Sequence, residues 1–131
     1  MIFVDASFLV SLITKEPGSY DRAIELWEKN KHEDKLITPS VISEVINTLN
    51  VRLKVDIELI DYACEFMHDN LVITDDYEYH VGAVKNIKSF QPSRVPFFDC
   101  LYMNVMEELG IKEILCFDKH FDLNKNIKRI Y

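Results

Sequence analysis

The sequence is short of cations and of cysteines, and it contains no long apolar run. Fifteen Lys and Arg stand against twenty-two Asp and Glu, a formal charge of -7. The surface as a whole therefore repels a nucleic acid backbone, which disfavours simple electrostatic binding. An enzyme is not excluded, because bound divalent cations reverse the local field and a modest basic strip can hold phosphates. The three cysteines, Cys64, Cys100 and Cys116, are odd in number, far apart and flanked by apolar residues. They read as reduced core thiols of a protein in a reducing cytosol, not as a disulfide framework or a zinc knuckle. No stretch approaches the roughly 20 apolar residues that span a bilayer. The N-terminal MIFVDASFLVSLIT has no basic leader, carries Asp5 inside its apolar run and lacks a small-residue cleavage site. The expectation is a cytoplasmic protein that makes no contact with membrane. With no linker, repeat or low-complexity segment, the 131 residues, 48% apolar, read as one domain spanning 1–131 that can bury a core without staples.

What is present is an alternation. Short apolar runs of strand length recur between stretches of helical periodicity, the pattern of an α/β domain with a parallel sheet. Strands are expected at Ile2 to Val4, Leu36 to Thr38, Leu71 to Thr74, Ile114 to Phe117 and Lys128 to Tyr131. Helices are expected from Ser7, from Tyr20 to Lys31, from Asp56 to His68, from Tyr77 to Lys88 and from Pro96 to Leu109, the last ending at Gly110. The breaker Lys15-Glu16-Pro17-Gly18 separates the first two. A further helix opens at Thr38-Pro39, an N-cap followed by proline, and carries the stripe Val41, Val45, Leu49, Leu53.

The chemistry lies in acids placed where apolar segments end. Asp5 closes the first strand and precedes a helix, which is where ligands bind in open α/β sheets; an N-cap role explains it equally well. Asp118 closes Ile114-Leu115-Cys116-Phe117 in the same way. Glu44 and Asp99 sit early in helices, each among apolar neighbours where a lone carboxylate is costly to desolvate, although a first-turn acid is also favoured by the helix dipole. Two unit charges about 4 Å apart repel by about 4 kcal/mol at an effective dielectric of 20, so four gathered carboxylates call for a cation. All-oxygen coordination suits Mg²⁺ or Mn²⁺. One or two such ions would activate a water for in-line attack on phosphorus, a chemistry that needs no Ser-His-Asp or Cys-His arrangement.

The ordered set of strand-Asp5-Ala6-Ser7, Ser43-Glu44-Val45, Phe98-Asp99-Cys100-Leu101 and Leu115-Cys116-Phe117-Asp118-Lys119-His120-Phe121 resembles the PIN-domain ribonucleases, and most closely their short single-domain VapC toxins. The resemblance covers essentially the whole chain. It implies a three-layer α/β/α, Rossmann-like fold with a parallel sheet of four to five strands in the order 3-2-1-4-5. It also implies Mg²⁺ or Mn²⁺ dependence, endonucleolytic cleavage of RNA, a homodimer and a cognate antitoxin. Asp5, Glu44 and Asp99 look like the core metal ligands and Asp118 like a fourth. Ser7 falls where such proteins support the first ligand. Cys100 and Leu101 replace the small residues expected after the third acid, and Asp122 is an acid the motif does not require.

Other residues read as structural. Asp75 and Asp76 cap the next helix. His120 is near enough to Asp118 to reach the site, but Lys-His-Phe after a strand reads as a surface turn. His32, His68 and His80 read as solvated helix residues. Trp27, Tyr62, Phe66 and Tyr102 fall at core or dimer-seam positions. Of the cations Arg52, Lys54, Lys85, Lys88, Arg94 and Lys119, the two beside the acids, Arg94 and Lys119, are the phosphate candidates. Two other functions compete: a receiver-like phospho-acceptor, with Lys119 as its strand-end lysine, and a noncatalytic PIN scaffold for protein binding. Against the receiver, the first strand offers Asp5 alone instead of paired acids.

Overall fold

The structure is a computed structural model that describes residues 1–131. In chain order it runs β1 (Ile2–Val4), α1 (Ala6–Thr14), α2 (Tyr20–Lys29), β2 (Lys35–Ile37), α3 (Pro39–Asn47), α4 (Ile57–Asn70), β3 (Val72–Ile73), α5 (His80–Phe90), α6 (Phe97–Leu109), β4 (Glu113–Leu115) and β5 (Lys128–Ile130). All strand pairs are parallel, in the order β3-β2-β1-β4-β5. The central strand, Ile2-Phe3-Val4, is buried throughout, as a strand covered on both faces must be, and its unbroken apolar run follows from that. The chain first works outward from β1 through β2 to β3, then returns to the other side of β1 with β4. The β1/β4 border is thus the switch point of the sheet, where a crevice opens beyond the carboxyl ends. A receiver-like order of 2-1-3-4-5 is not what this sheet has.

Thirty-three buried apolar residues form one cluster around the sheet. The stretch from Asp99 to Met106 in α6 is buried on every face, because the helix lies between the sheet and α5. Gly82 permits that approach: a Cβ there would sit 2.2 Å from the Asn104 amide nitrogen, and Asn104 donates to the Tyr79 carbonyl at 2.9 Å. Gly110 ends α6 in the left-handed region at φ 71°, which glycine adopts without a Cβ clash. No helix is long and apolar enough to cross a membrane.

Three local expectations change. The apolar stripe through Leu49 and Leu53 does not stay α-helical: α3 stops at Asn47 and Thr48–Arg52 form a π-helical turn, in which Leu53 N–H reaches the Thr48 carbonyl five residues back. The wider turn changes the phase of the following side chains, leaving Leu49 buried and Leu53 exposed. The fourth strand ends at Leu115; the Cys116 N–H still donates to the Ile130 carbonyl of β5 at 3.2 Å, and Phe117 lies in the turn beyond. The Thr38 hydroxyl, expected as a cap, has no partner. Instead the buried Asp76 accepts the Ser40 N–H at 3.2 Å, so it caps α3 across the fold, while Asp75 alone caps its own following turn through the Tyr77 N–H at 3.3 Å. A sequence pattern shows only neighbours along the chain, and Asp76 serves a helix that is distant in sequence.

Candidate metal centre at the switch point

Asp5 follows β1 directly and is both N-cap and cleft residue. Its Oδ2 accepts the Ser7 N–H at 3.0 Å, the Ser7 hydroxyl at 2.6 Å and the Cys116 thiol at 3.4 Å. Its Oδ1 has no hydrogen bond. The two readings of Asp5 from sequence are therefore compatible: one oxygen caps α1 and the other is free to hold a ligand. Ser7 in turn accepts the Phe117 N–H at 3.3 Å, and the Cys116 sulfur accepts the Asp118 N–H at 3.1 Å. This pair stitches the end of β1 to the turn after β4 and brings Asp118 back toward Asp5.

Asp5, Glu44, Asp99 and Asp118 all line one cleft of about 550 Å³, together with Ser7 and Arg52. Glu44, from the second turn of α3, accepts the hydroxyl of the fully buried Tyr102. Asp99, from the first turn of α6, is only 7% exposed. Burial pushes the Asp5 carboxyl above its ordinary range, against the lowering pull of Ser7. Glu44 is raised by burial and by the negative charges of Asp5 and Asp118. Asp99 is pushed up to about 7, by burial first and then by repulsion from Asp5 and Asp118. Each raised acid reports the same condition: desolvated negative charge without enough positive charge beside it.

His120, expected in a surface turn, lies in one with 44% of its side chain exposed, and it also reaches two of the acids. The turn at Lys119–Leu123 brings its Nδ1 to 2.9 Å from Asp99 Oδ2 and 2.9 Å from Asp118 Oδ1, and one donor atom from each of the three residues lies within 4.8 Å of the others. A basic residue two places after an acid is too common a pattern to single it out. Arg52, one of the available cations but passed over as a phosphate candidate, enters the cleft from the π-helical turn, and Glu16 enters it unforeseen from the breaker after α1. Arg94 and Lys119 are exposed outside the cleft lining, in the loop before α6 and at the start of the turn after Asp118. Asp122 faces away and forms a two-pronged pair with Arg129, at 2.9 Å for Nε–Oδ1 and 2.9 Å for Nη2–Oδ2.

Oxygens of Asp99 and Asp118 grouped with the His120 Nδ1, with the carboxylates of Asp5 and Glu44 lining the same cleft as the two aspartates, offer donors that suit a divalent cation. Such an ion would relieve the repulsion that raises Asp99. Fold and cleft thus define a three-layer α/β/α protein with an acidic crevice at the switch point of a parallel sheet. The PIN domain family matches residues 2–126, and the chain belongs to that family. Its structure is similar to the crystal structure of Mycobacterium tuberculosis VapC20, a sarcin-ricin loop cleaving toxin, with a TM-score of 0.84 at 20% identity over 95% of each chain. No curated protein matches the chain.

Proposed function

We propose that this protein is a Mg²⁺- or Mn²⁺-dependent endoribonuclease, the toxin of a toxin–antitoxin pair acting in the cytoplasm. The observation that carries this reading is the convergence of Asp5, Glu44, Asp99 and Asp118 on one cleft, from four chain segments with no local reason to share a site. Membership of the PIN family and the likeness to a toxin support it. The four acids hold the cation, Asp5 through its free Oδ1. Ser7 orients Asp5 by occupying Oδ2. A Mg²⁺ or Mn²⁺ ion held there supplies the positive charge that lets an anionic phosphodiester enter an acidic cleft and be attacked by water. Arg52, in the same lining, is placed to take a second phosphate, with Lys119 and Arg94 flanking outside. A cognate antitoxin and a homodimer complete the proposal.

The test is cleavage of a structured RNA by the purified protein. Cutting is expected with Mg²⁺ or Mn²⁺, none with EDTA, and none from Asp5→Asn or Asp99→Asn variants that keep the wild-type circular dichroism spectrum. Activity at the wild-type level in Asp5→Asn would overturn the assignment. For the toxin role, induced expression of the wild type should arrest growth of a host culture and expression of Asp99→Asn should not.

A further inference from the structure

We propose that His120 contributes Nδ1 as a nitrogen ligand to the cation held between Asp99 and Asp118, and that this donor biases the site toward Mn²⁺ over Mg²⁺. The inference rests on the metal-dependent reading above and adds a ligand of a different kind to it.

Three observations carry it. The first is distance. Nδ1 stands 2.9 Å from an oxygen of each aspartate. Adjacent ligands of an octahedral ion with bonds of 2.0–2.1 Å are separated by about 2.9 Å, so both spacings match the edge of such a coordination shell. The second is anchorage. The Asp118 side chain accepts the His120 backbone N–H at 2.9 Å, Phe121 beside it is fully buried, and Asp122 is tied to Arg129. The imidazole is thereby delivered by a turn fixed at three points, which is unlike a loose surface side chain. The third is the absence of a rival: Asp99 and Asp118 form ion pairs with no lysine or arginine, only with His120.

An imidazole in this place makes a chemical difference. Carboxylates alone serve Mg²⁺, Ca²⁺ and Mn²⁺ alike, whereas an imidazole nitrogen favours transition-metal ions. A neutral ring that carries its proton on the second nitrogen, Nε2, presents a bare Nδ1 to the cation. With 44% of the His120 side chain exposed, that second nitrogen can stay hydrated.

Electron spin echo spectroscopy of Mn²⁺ bound to the RNA-free protein reads the ligand directly. Wild-type protein is expected to show a ¹⁴N coupling that changes to the ¹⁵N pattern when histidine is labelled with ¹⁵N, and His120 is the histidine that groups with Asp99 and Asp118. His120→Gln should lose the coupling. In calorimetric titrations it should also lose on the order of tenfold in Mn²⁺ affinity with a smaller loss for Mg²⁺. Bound Mn²⁺ that depends on Asp99 but shows no histidine nitrogen would overturn the role of His120 and leave the nuclease reading standing. Failure of the wild type to bind Mn²⁺ or Mg²⁺ at all would defeat both.

Discussion

The hydroxyl of Tyr102 donates to Oε1 of Glu44, and this bond joins the buried face of α6 to α3 at the wall of the acidic cleft. Tyr102 is fully buried, packed against Phe3 with ring centroids 5.3 Å apart, so its hydroxyl position is set by the core. The bond stabilises Glu44 in its charged form and opposes the burial that raises its pKa. Tyr102→Phe should therefore weaken divalent-cation affinity severalfold by pushing Glu44 further toward its protonated form. Loss of a hydrogen bond to a charged group should also cost about 1.5–3 kcal/mol of stability. Calorimetric titration of Mn²⁺ and urea unfolding check the two effects separately; unchanged Mn²⁺ affinity would show that the bond serves packing alone.

Metal-free protein should become less stable as pH rises. Asp99 has its carboxyl raised from the ordinary 3.8 to about 7, and Asp5 and Glu44 are raised as well. Between those limits the folded state binds more protons than the unfolded chain, so the slope of stability against pH is negative. The contribution is fully present below the ordinary carboxylate value and is lost as pH passes through about 7. In EDTA, Tm should fall between pH 5 and pH 8, and Mg²⁺ or Mn²⁺ should raise Tm more at pH 8 than at pH 5. A metal-induced shift larger at pH 5 would contradict the assignment of these acids as ligands.

Asp122 and Asp118 are four residues apart, yet their variants should behave in opposite ways. Asp122 lies outside the cleft and pairs with Arg129, which also stacks over the Tyr131 ring at 3.7 Å. Asp122→Asn weakens two bonds to Arg129, whose side chain is only 5% exposed, so it should cost on the order of 1–3 kcal/mol and lower RNA cleavage far less than Asp118→Asn does. Asp118→Asn should reduce cleavage at least tenfold while melting at or above the wild-type Tm in EDTA, since it removes one of the charges that raise Asp99.

Gly82→Ala tests the α5–α6 contact. The added methyl would meet the Asn104 amide at 2.2 Å, and Asn104 cannot yield without releasing the Tyr79 carbonyl. Overpacking of this kind costs about 1–3 kcal/mol. The urea midpoint should drop, while Mn²⁺ affinity stays within twofold because Asp99 lies more than one helical turn from Asn104 along α6.

The local patterns of the chain determined much of this molecule. The unalternating Ile2-Phe3-Val4 required a strand covered on both faces, Gly110 ended α6, and Asp5 and Asp118 stood just beyond apolar runs, so the central strand and the positions of four acids were legible before folding. Strand order followed from resemblance to a family and not from periodicity, since pairing is a long-range relation. What only the tertiary structure decided is which side chains meet. Glu44 and Tyr102 are 58 residues apart, and Ser7 and Cys116 are 109 apart; no spacing along the chain relates them. Arg52 enters the cleft because a π-helical turn shifts the helical phase, and Asp76 caps a helix that precedes it by an entire crossover. His120 meets Asp99 because a short turn folds back over the end of β4. Periodicity is a property of neighbouring residues, whereas the charge, solvation and ligand geometry of this cleft depend on distances between segments that come together only when the sheet closes.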